Sequence, residues 1–372
     1  MKMKIVKVSH KNKVYDSLRL FSSLNMVDEN YMRRDDWTII NNNDSSNIGD
    51  KGFNYPVVNF DKNNNKNKND KNNLKNNKNN KNNNDINGIK NYDTYIWTKE
   101  ILPTKEELKE WKTKIVENIE DGKNIYNMAR LYRIGDSEKI LKLIKKYGIN
   151  YYDTSDPLKY KKLKNYSELG LCGIKSPVIA VVGTGRRCGK FTTTMTLKKQ
   201  LEIKKNKDIG VVGTEPQSLL CNCDEMVIPQ VIPMCHVPST ILGAVKKVDL
   251  ADKDIIFVSG QTGLFANSLE VGTGRGGAVC SLSILYGSKP NYIILSTDST
   301  DINYIMRHIK FLKLINDSWE IIGISIKNSN LPTDDYVEKL NNLENALNIP
   351  VVDMVIGHNT NSLIDNIVDR VF

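Results

Sequence analysis

The sequence predicts an α/β protein: a doubly wound parallel sheet over residues 176–372, preceded by a smaller α/β domain. Three observations predict it. Short β-branched runs at 178–182, 209–212, 255–258, 292–295, 321–326 and 351–355 alternate with amphipathic stretches such as 304–314 and 336–347. The runs are nearly continuously apolar, as expected of strands covered on both faces. The first run passes through a glycine-rich turn directly into a helical segment, which is the local form of a βα unit.

The elements follow in order. Residues 4–9 read as a strand, and little else in 1–60 is periodic. Thr104-Lys-Glu-Glu opens a helix with acidic residues in its first turn, where the helix dipole favours them, and Leu108, Trp111, Ile115 and Ile119 recur at helical spacing. A second helix follows Asp136, with Ile140, Leu141, Ile144 and Tyr147 as its apolar side and Gly148 as its stop. Residues 149–152 form a short strand. The smaller domain is therefore assigned to 1–60 and 93–170.

Residues 61–92 interrupt it. Between 61 and 90 there are fifteen Asn, eight Lys and three Asp, and Leu74 is the sole apolar residue before Ile86. Such a segment buries nothing to offset chain entropy and is expected to be a disordered insertion.

Charge narrows the function classes. The chain has 372 residues and a net charge of +10. The insertion alone supplies +5, while 177–372 holds nineteen Lys/Arg against twenty Asp/Glu. The basic excess thus lies in a tract without aromatics, so nucleic acid is not the expected partner. No apolar run reaches the roughly 18 residues of a membrane helix. Residues 1–10 lack a signal-peptide core, so a cytoplasmic location is expected. Six Cys in a chain of this length read as reduced thiols. Cys221-Asn-Cys223 and Cys235-His236 are too irregularly spaced for a zinc knuckle. A small-molecule ligand is the expected partner, and self-association is left open.

The turn after the first C-terminal strand carries the chemistry. It reads Gly183-Thr-Gly-Arg-Arg-Cys-Gly-Lys190, followed by Phe191-Thr-Thr-Thr194. Glycines let consecutive N–H groups curl around an anion, the new helix adds its positive end, and Lys190 adds a full charge. The candidate ligand-binding residues are Gly183, Thr184, Gly185, Arg186, Arg187, Gly189, Lys190, Thr192 and Thr193. The arginines are suited to bidentate phosphate recognition. The first glycine stands one residue earlier than in the commonest pattern. Phe191 occupies the place where a hydroxyl ordinarily meets Mg²⁺, leaving Thr192 or Thr193 to replace it. The domain is accordingly P-loop NTPase-like.

Other strand ends should face the same crevice. Gly213-Thr-Glu-Pro-Gln217 offers Glu215 as a proton acceptor or, with Thr192, a metal ligand. Ser259-Gly-Gln-Thr-Gly263 offers Gly260 as a phosphate sensor and Gln261 to orient a nucleophile. Gly272-Thr-Gly-Arg275 is a second candidate anion holder through Arg275, Asp298 ends the fourth strand, and Asn328 ends the fifth as a base-reading amide.

These segments resemble a two-domain family of largely unknown function, with an N-terminal Rossmann-like domain and a C-terminal P-loop domain, that includes a bacterial D-glutamate N-acetyltransferase. The likeness lies in Gly183-Thr184 with Gly189-Lys190-Phe-Thr-Thr193, Gly260-Gln261 with Gly263-Leu264-Phe265, the run 285–288 with 292–295, and 322–329 with 349–353. Residues 102–111 and 147–153 extend it into the first domain. The chain departs from the family at Gly185 and Ser259, where an acid is usual, and it lacks a glycine pair before Leu102-Pro103. The resemblance implies N-acylation of an amino acid, whereas the loop chemistry alone implies an ATP-dependent ligase or kinase. ATP and acetyl-CoA both present phosphates to such a loop, with Mg²⁺ as a companion of the former. In both readings Lys190, Glu215 and Gln261 are the catalytic candidates. A nucleotide-driven switch and a non-catalytic nucleotide-binding regulator are the alternatives.

Overall fold

The computed structural model describes residues 4–10, 13, 17–18, 37–41, 92, 94–130, 137–265, 276–327 and 333–372. The expected insertion lies outside them, apart from Tyr92. Two parallel sheets organise the chain.

The first sheet contains β1 (Lys4–Val8), β2 (Trp37–Asn41), β3 (Thr94–Trp97), β4 (Asn124–Asn127) and β5 (Tyr151–Asp153), ordered β2-β1-β3-β4-β5 with every pairing parallel. This is the flavodoxin-like order, whose switch point lies between β1 and β3. Helix α1 (Lys105–Glu120) starts at Thr104, whose side chain accepts from Glu107 N while Glu107 returns a bond to the Thr104 backbone. Its Trp111, Ile115 and Ile119 are fully buried against Tyr95, Trp97 and Ile125. In α2 (Ser137–Tyr147), Ile140, Leu143 and Ile144 form the packed stripe. The expected side differs, because Leu141 and Tyr147 are exposed. Positions 140, 143 and 144 share a helical face, and 141 points about 100° away from it.

The second sheet contains β6 (Val178–Gly183), β7 (Ile209–Gly213), β8 (Glu225–Met226), β9 (Ile255–Gly263), β10 (Tyr292–Thr297), β11 (Glu320–Ile326) and β12 (Val351–Val352). Its order is β12-β11-β10-β6-β9-β7-β8, again with every pairing parallel. This is the doubly wound α/β sheet that the sequence predicts. Helix α5 (Lys190–Lys205) covers one face of β6, where Ile179 and Val181 meet Met195, Leu197 and Leu201. Ala180 and Val182 face the other way, toward Leu285 and Leu264. Strand β12 is shorter than expected because the Asp353 carboxylate accepts the Val355 amide at 2.8 Å, an Asx turn that ends the extended run. Strands β2, β3, β4 and β8 are unforeseen, being two to five residues long.

The two units share a seam. Val8, Leu18, Ile96, Tyr126 and Met128 of the first pack against Leu220 and Cys221 of the second. Tyr126 also donates its hydroxyl to the Pro216 carbonyl at 2.7 Å, in a buried position. Helix α3 (Pro157–Lys164) and helix α4 (Ser167–Leu171) lie on α6 (Val237–Asp249). The approach is close enough that a Cβ on Gly243 would fall 1.9 Å from the Leu163 carbonyl oxygen. That contact accounts for a glycine inside an apolar helix.

Asp153, at the end of β5, is 4% exposed and accepts from the Ser155 amide at 2.7 Å and its hydroxyl at 2.6 Å. Burial nevertheless pushes its carboxyl up to about 6. Above the unfolded value of about 4 and below about 6, the folded state holds a proton that the unfolded chain has released. Stability from this group therefore falls as pH rises through that window. Asp153→Asn should remove the loss, so the stability of the variant relative to wild type should grow by on the order of 2 kcal/mol between pH 4 and 7. Parallel pH profiles in urea denaturation would refute the assignment.

Candidate functional site

The loop 183–190 leaves β6 at the switch point, between β9 and β10. Gly183 ends the strand, and a Cβ there would fall 2.5 Å from Cys188 Sγ and 2.9 Å from Lys190 Nζ. Gly263 admits the loop backbone, since a Cβ on it would lie 2.8 Å from the Thr184 carbonyl oxygen. Arg187 and Gly189 adopt left-handed backbone, with φ of 61° and 99°. Left-handed residues set among right-handed ones produce the curl that aims amides at an anion. Among the described residues, the backbone N–H groups of Gly185, Arg187, Gly189 and Lys190 meet no backbone acceptor.

Lys190 opens α5 and is 5% exposed. Its Nζ donates to the Gly185 carbonyl at 2.7 Å and lies 3.7 Å from Cys188 Sγ. The amine thus rests inside the curl on a carbonyl and a thiol. Cys188 is itself buried and donates to the same carbonyl at 3.1 Å, filling the space beneath the loop. Arg186 is half-buried and Arg187 exposed.

The hydroxyls of the loop are mostly committed elsewhere. Thr184 Oγ1 bonds Thr297 Oγ1 of β10 at 3.0 Å, and its amide donates to the Ser296 carbonyl. Thr193 Oγ1 pairs with Ser325 Oγ of β11 at 2.7 Å and is buried, so the expectation that it faces the ligand does not match its placement. Thr192 is half-buried. Phe191 packs against both the core under α5 and the seam cluster of Val8, Ile96 and Tyr126. Its ring joins the two units at the place where a hydroxyl was sought.

Strand β9 pairs Ser259 with Val181 and Gly263 with Gly183, so Gly260, Gln261 and Thr262 bulge beside the loop. Gly260 passes close to the lysine stem, 3.5 Å from Lys190 Cδ for a Cβ placed there. Ser259 is fully buried within the strand. Gln261 is engaged rather than free to orient a nucleophile. Its Nε2 donates to the Thr214 carbonyl at 3.0 Å, and its Oε1 accepts from Gln230. Thr214 Oγ1 in turn donates to the Ser259 carbonyl at 2.8 Å, tying the ends of β7 and β9 together.

Glu215 follows β7. Its carboxylate pairs with Lys13 Nζ at 2.7 Å, across the seam. The Glu215 carboxylate beside it raises the Lys13 amine above its ordinary value, opposed by burial and by Arg186. Lys13 and Lys327 are the site residues that sequence reasoning missed. Lys327 follows β11, its Cβ lies 3.3 Å from a Cβ placed on Gly189, and its Nζ donates to the Arg187 carbonyl at 3.4 Å. The strand-end rule points to Lys327 as readily as to Asn328. Nothing local in the sequence marks Lys13, which depends on how the two units dock. Arg275 and Asn328 lie outside the described residues, whereas Asp298 is exposed at the end of β10.

Cys221 and Cys223 are buried free thiols, and no group of three metal-ligating side chains occurs among the described residues. Burial raises both thiols above their ordinary values. No helix among the described residues is long and apolar enough to cross a membrane.

Comparison with known proteins bears on the fold. Residues 166–363 match the domain of unknown function DUF1611_C, described as a P-loop domain. A D-glutamate N-acetyltransferase from a Pseudoalteromonas species is 23% identical over 263 residues, covering 66% of this chain and 73% of that protein. The crystal structure of a DUF1611 family protein from Anabaena variabilis superposes with a TM-score of 0.57 at 14% identity, covering 75% of this chain and 80% of that one. The chain belongs to the DUF1611 family and has its P-loop α/β fold.

Gly183→Ala tests the loop. The added methyl would displace Lys190 Nζ or Cys188 Sγ, so affinity for inorganic pyrophosphate, measured by calorimetry, should drop at least tenfold while the circular dichroism spectrum is retained. Unaltered affinity would show that this lysine position does not serve an anion.

Proposed function

We propose that this DUF1611 family member holds a phosphate-bearing ligand, acetyl-CoA or ATP, in the 183–190 loop and transfers an acyl or phosphoryl group to a small amino-acid-like metabolite. The observation that carries the reading is a loop whose Gly185, Arg187, Gly189 and Lys190 amides meet no backbone acceptor among the described residues, beside the buried Lys190 amine, at the switch point of a parallel sheet. Phosphoryl oxygens would meet those amides, Lys190 and the flanking Arg186 and Arg187.

The name of the Pseudoalteromonas relative favours acyl transfer. In that chemistry the acceptor amine attacks the thioester carbonyl, the C–S bond breaks, and coenzyme A leaves as its thiol after taking up a proton. The loop holds the phosphates and so fixes where the thioester reaches. Glu215 is the carboxylate at the end of β7 that can accept the proton shed by the amine. Gln261 acts by holding the β7 and β9 ends in register, through Thr214. The donor set suits Mg²⁺ poorly: Phe191 has no oxygen, Thr192 and Ser259 offer only neutral hydroxyls, and Glu215, the carboxylate on the β7 end, is held by Lys13.

A nucleotide-driven switch is the second reading. It is favoured by the link from the loop-facing strand ends, through Glu215 and Lys13, to the first unit. It calls for hydrolysis stimulated by a partner protein.

A thermal-shift panel with ATP, GTP, coenzyme A and acetyl-CoA tests the proposal. A ligand at a hundred times its dissociation constant should stabilise by about 2.7 kcal/mol, and Lys190→Ala should abolish the shift. No shift with any of the four, or one that survives in the variant, would overturn it. Acetyl-CoA turnover with D-amino acids in the absence of any partner separates the enzyme from the switch.

A further inference from the structure

Most positions that ordinarily bring a divalent cation to a phosphate loop are put to another use in this chain, and of the rest Thr192 and Ser259 carry no charge. Phe191 turns the place of a metal-binding hydroxyl into a packing contact with the seam. Thr193 Oγ1 is spent on Ser325, and Thr184 Oγ1 on Thr297. At the β9 position where an acid would hold a metal-bound water stands Ser259, fully buried and with its hydroxyl unpartnered among the described residues; a neutral oxygen there supplies none of the negative charge that a divalent cation draws on. The one carboxylate on the β7 end, Glu215, already has a cation, because Lys13 Nζ sits 2.7 Å from Oε2. Asp298 is exposed at the end of β10. Cations, by contrast, are plentiful. Lys190 lies within the curl, Arg186 and Arg187 on it, and Lys327 against its far side with Nζ 3.4 Å from the Arg187 carbonyl.

We infer that this loop takes its phosphate ligand without a divalent cation, and that Lys13, delivered from the first unit, stands at Glu215 where other phosphate loops keep Mg²⁺. The inference rests on the reading of 183–190 as a phosphate site and adds its charge arrangement. Four cationic side chains around the loop supply the countercharge that Mg²⁺ gives elsewhere, and Lys13 neutralises the acid that would otherwise repel the ligand. The first unit then has a direct part in ligand binding, since docking across the seam is what brings Lys13 to Glu215.

Calorimetric titration of the full chain with coenzyme A and with ATP, in EDTA and in excess MgCl₂, tests this. The dissociation constant of each ligand should differ less than threefold between the two conditions. Lys327→Ala should weaken both ligands about tenfold in either condition. Lys13→Ala leaves Glu215 unpaired beside the site and should make binding at least fivefold weaker in EDTA than in MgCl₂. Glu215→Gln in the same background should restore metal independence, and it guards against a variant that is merely misfolded. Wild-type binding that is tenfold or more tighter with Mg²⁺ would overturn the inference while leaving the phosphate site intact. Lack of binding under both conditions would instead overturn the reading on which it rests. A Lys13→Ala variant that stays metal-independent would remove Lys13 from the account.

Discussion

The arrangement depends on a buried amine with no carboxylate partner among the described residues. Lys190 is almost wholly removed from solvent, and its partners are one carbonyl oxygen and one thiol. A cation in such a place is poorly compensated, because burying a charge is costly unless an opposite charge is near. The amides of the loop present the same demand as partial charges. An anion with several oxygens answers both at once. The glycines at 183 and 263, the left-handed backbone at 187 and 189, and the bulge in β9 all serve to hold that demand in one place.

The second unit does not build the site alone. Phe191 and Tyr126 show how the seam reaches the loop. The ring after Lys190 packs into the cluster made by β1, β3 and β4, and the Tyr126 hydroxyl holds the backbone beside Glu215. A side chain that looks like a defect in a phosphate-binding motif thus has a structural purpose. The exchange of a metal-facing hydroxyl for a seam contact couples the docking of the two units to the geometry of the loop. The Lys13–Glu215 pair is the polar counterpart of the same coupling.

Much of this was legible in the sequence, and the reasons are local. Continuous apolar runs identified the main strands of the second sheet, because strands covered on both faces have no polar side to interrupt them. The capping box at Thr104 identified α1 because both partners lie within four residues. The glycine pattern identified the loop because close backbone approach excludes any Cβ. What escaped was either short or non-local. Strands β2 and β4 are too brief to display a period, and Leu141 looked buried because an apolar count does not say which stripe meets the sheet. The motif pattern points Thr193 and Gln261 at a ligand, whereas their polar atoms meet Ser325, Thr214 and Gln230, residues on other strands and loops.

Backbone curl, strand burial and helix initiation are properties of neighbouring residues, so the fold class, the P-loop and its lysine can be read along the chain. Which hydroxyls and carboxylates keep free polar atoms depends instead on the docking of the sheets. That choice is made by partners far away in the chain: Lys13 lies 202 residues from Glu215, and Ser325 lies 132 residues from Thr193. Hydrogen bonds and ion pairs act over a few ångströms, so their partners are known only when the sheets have docked.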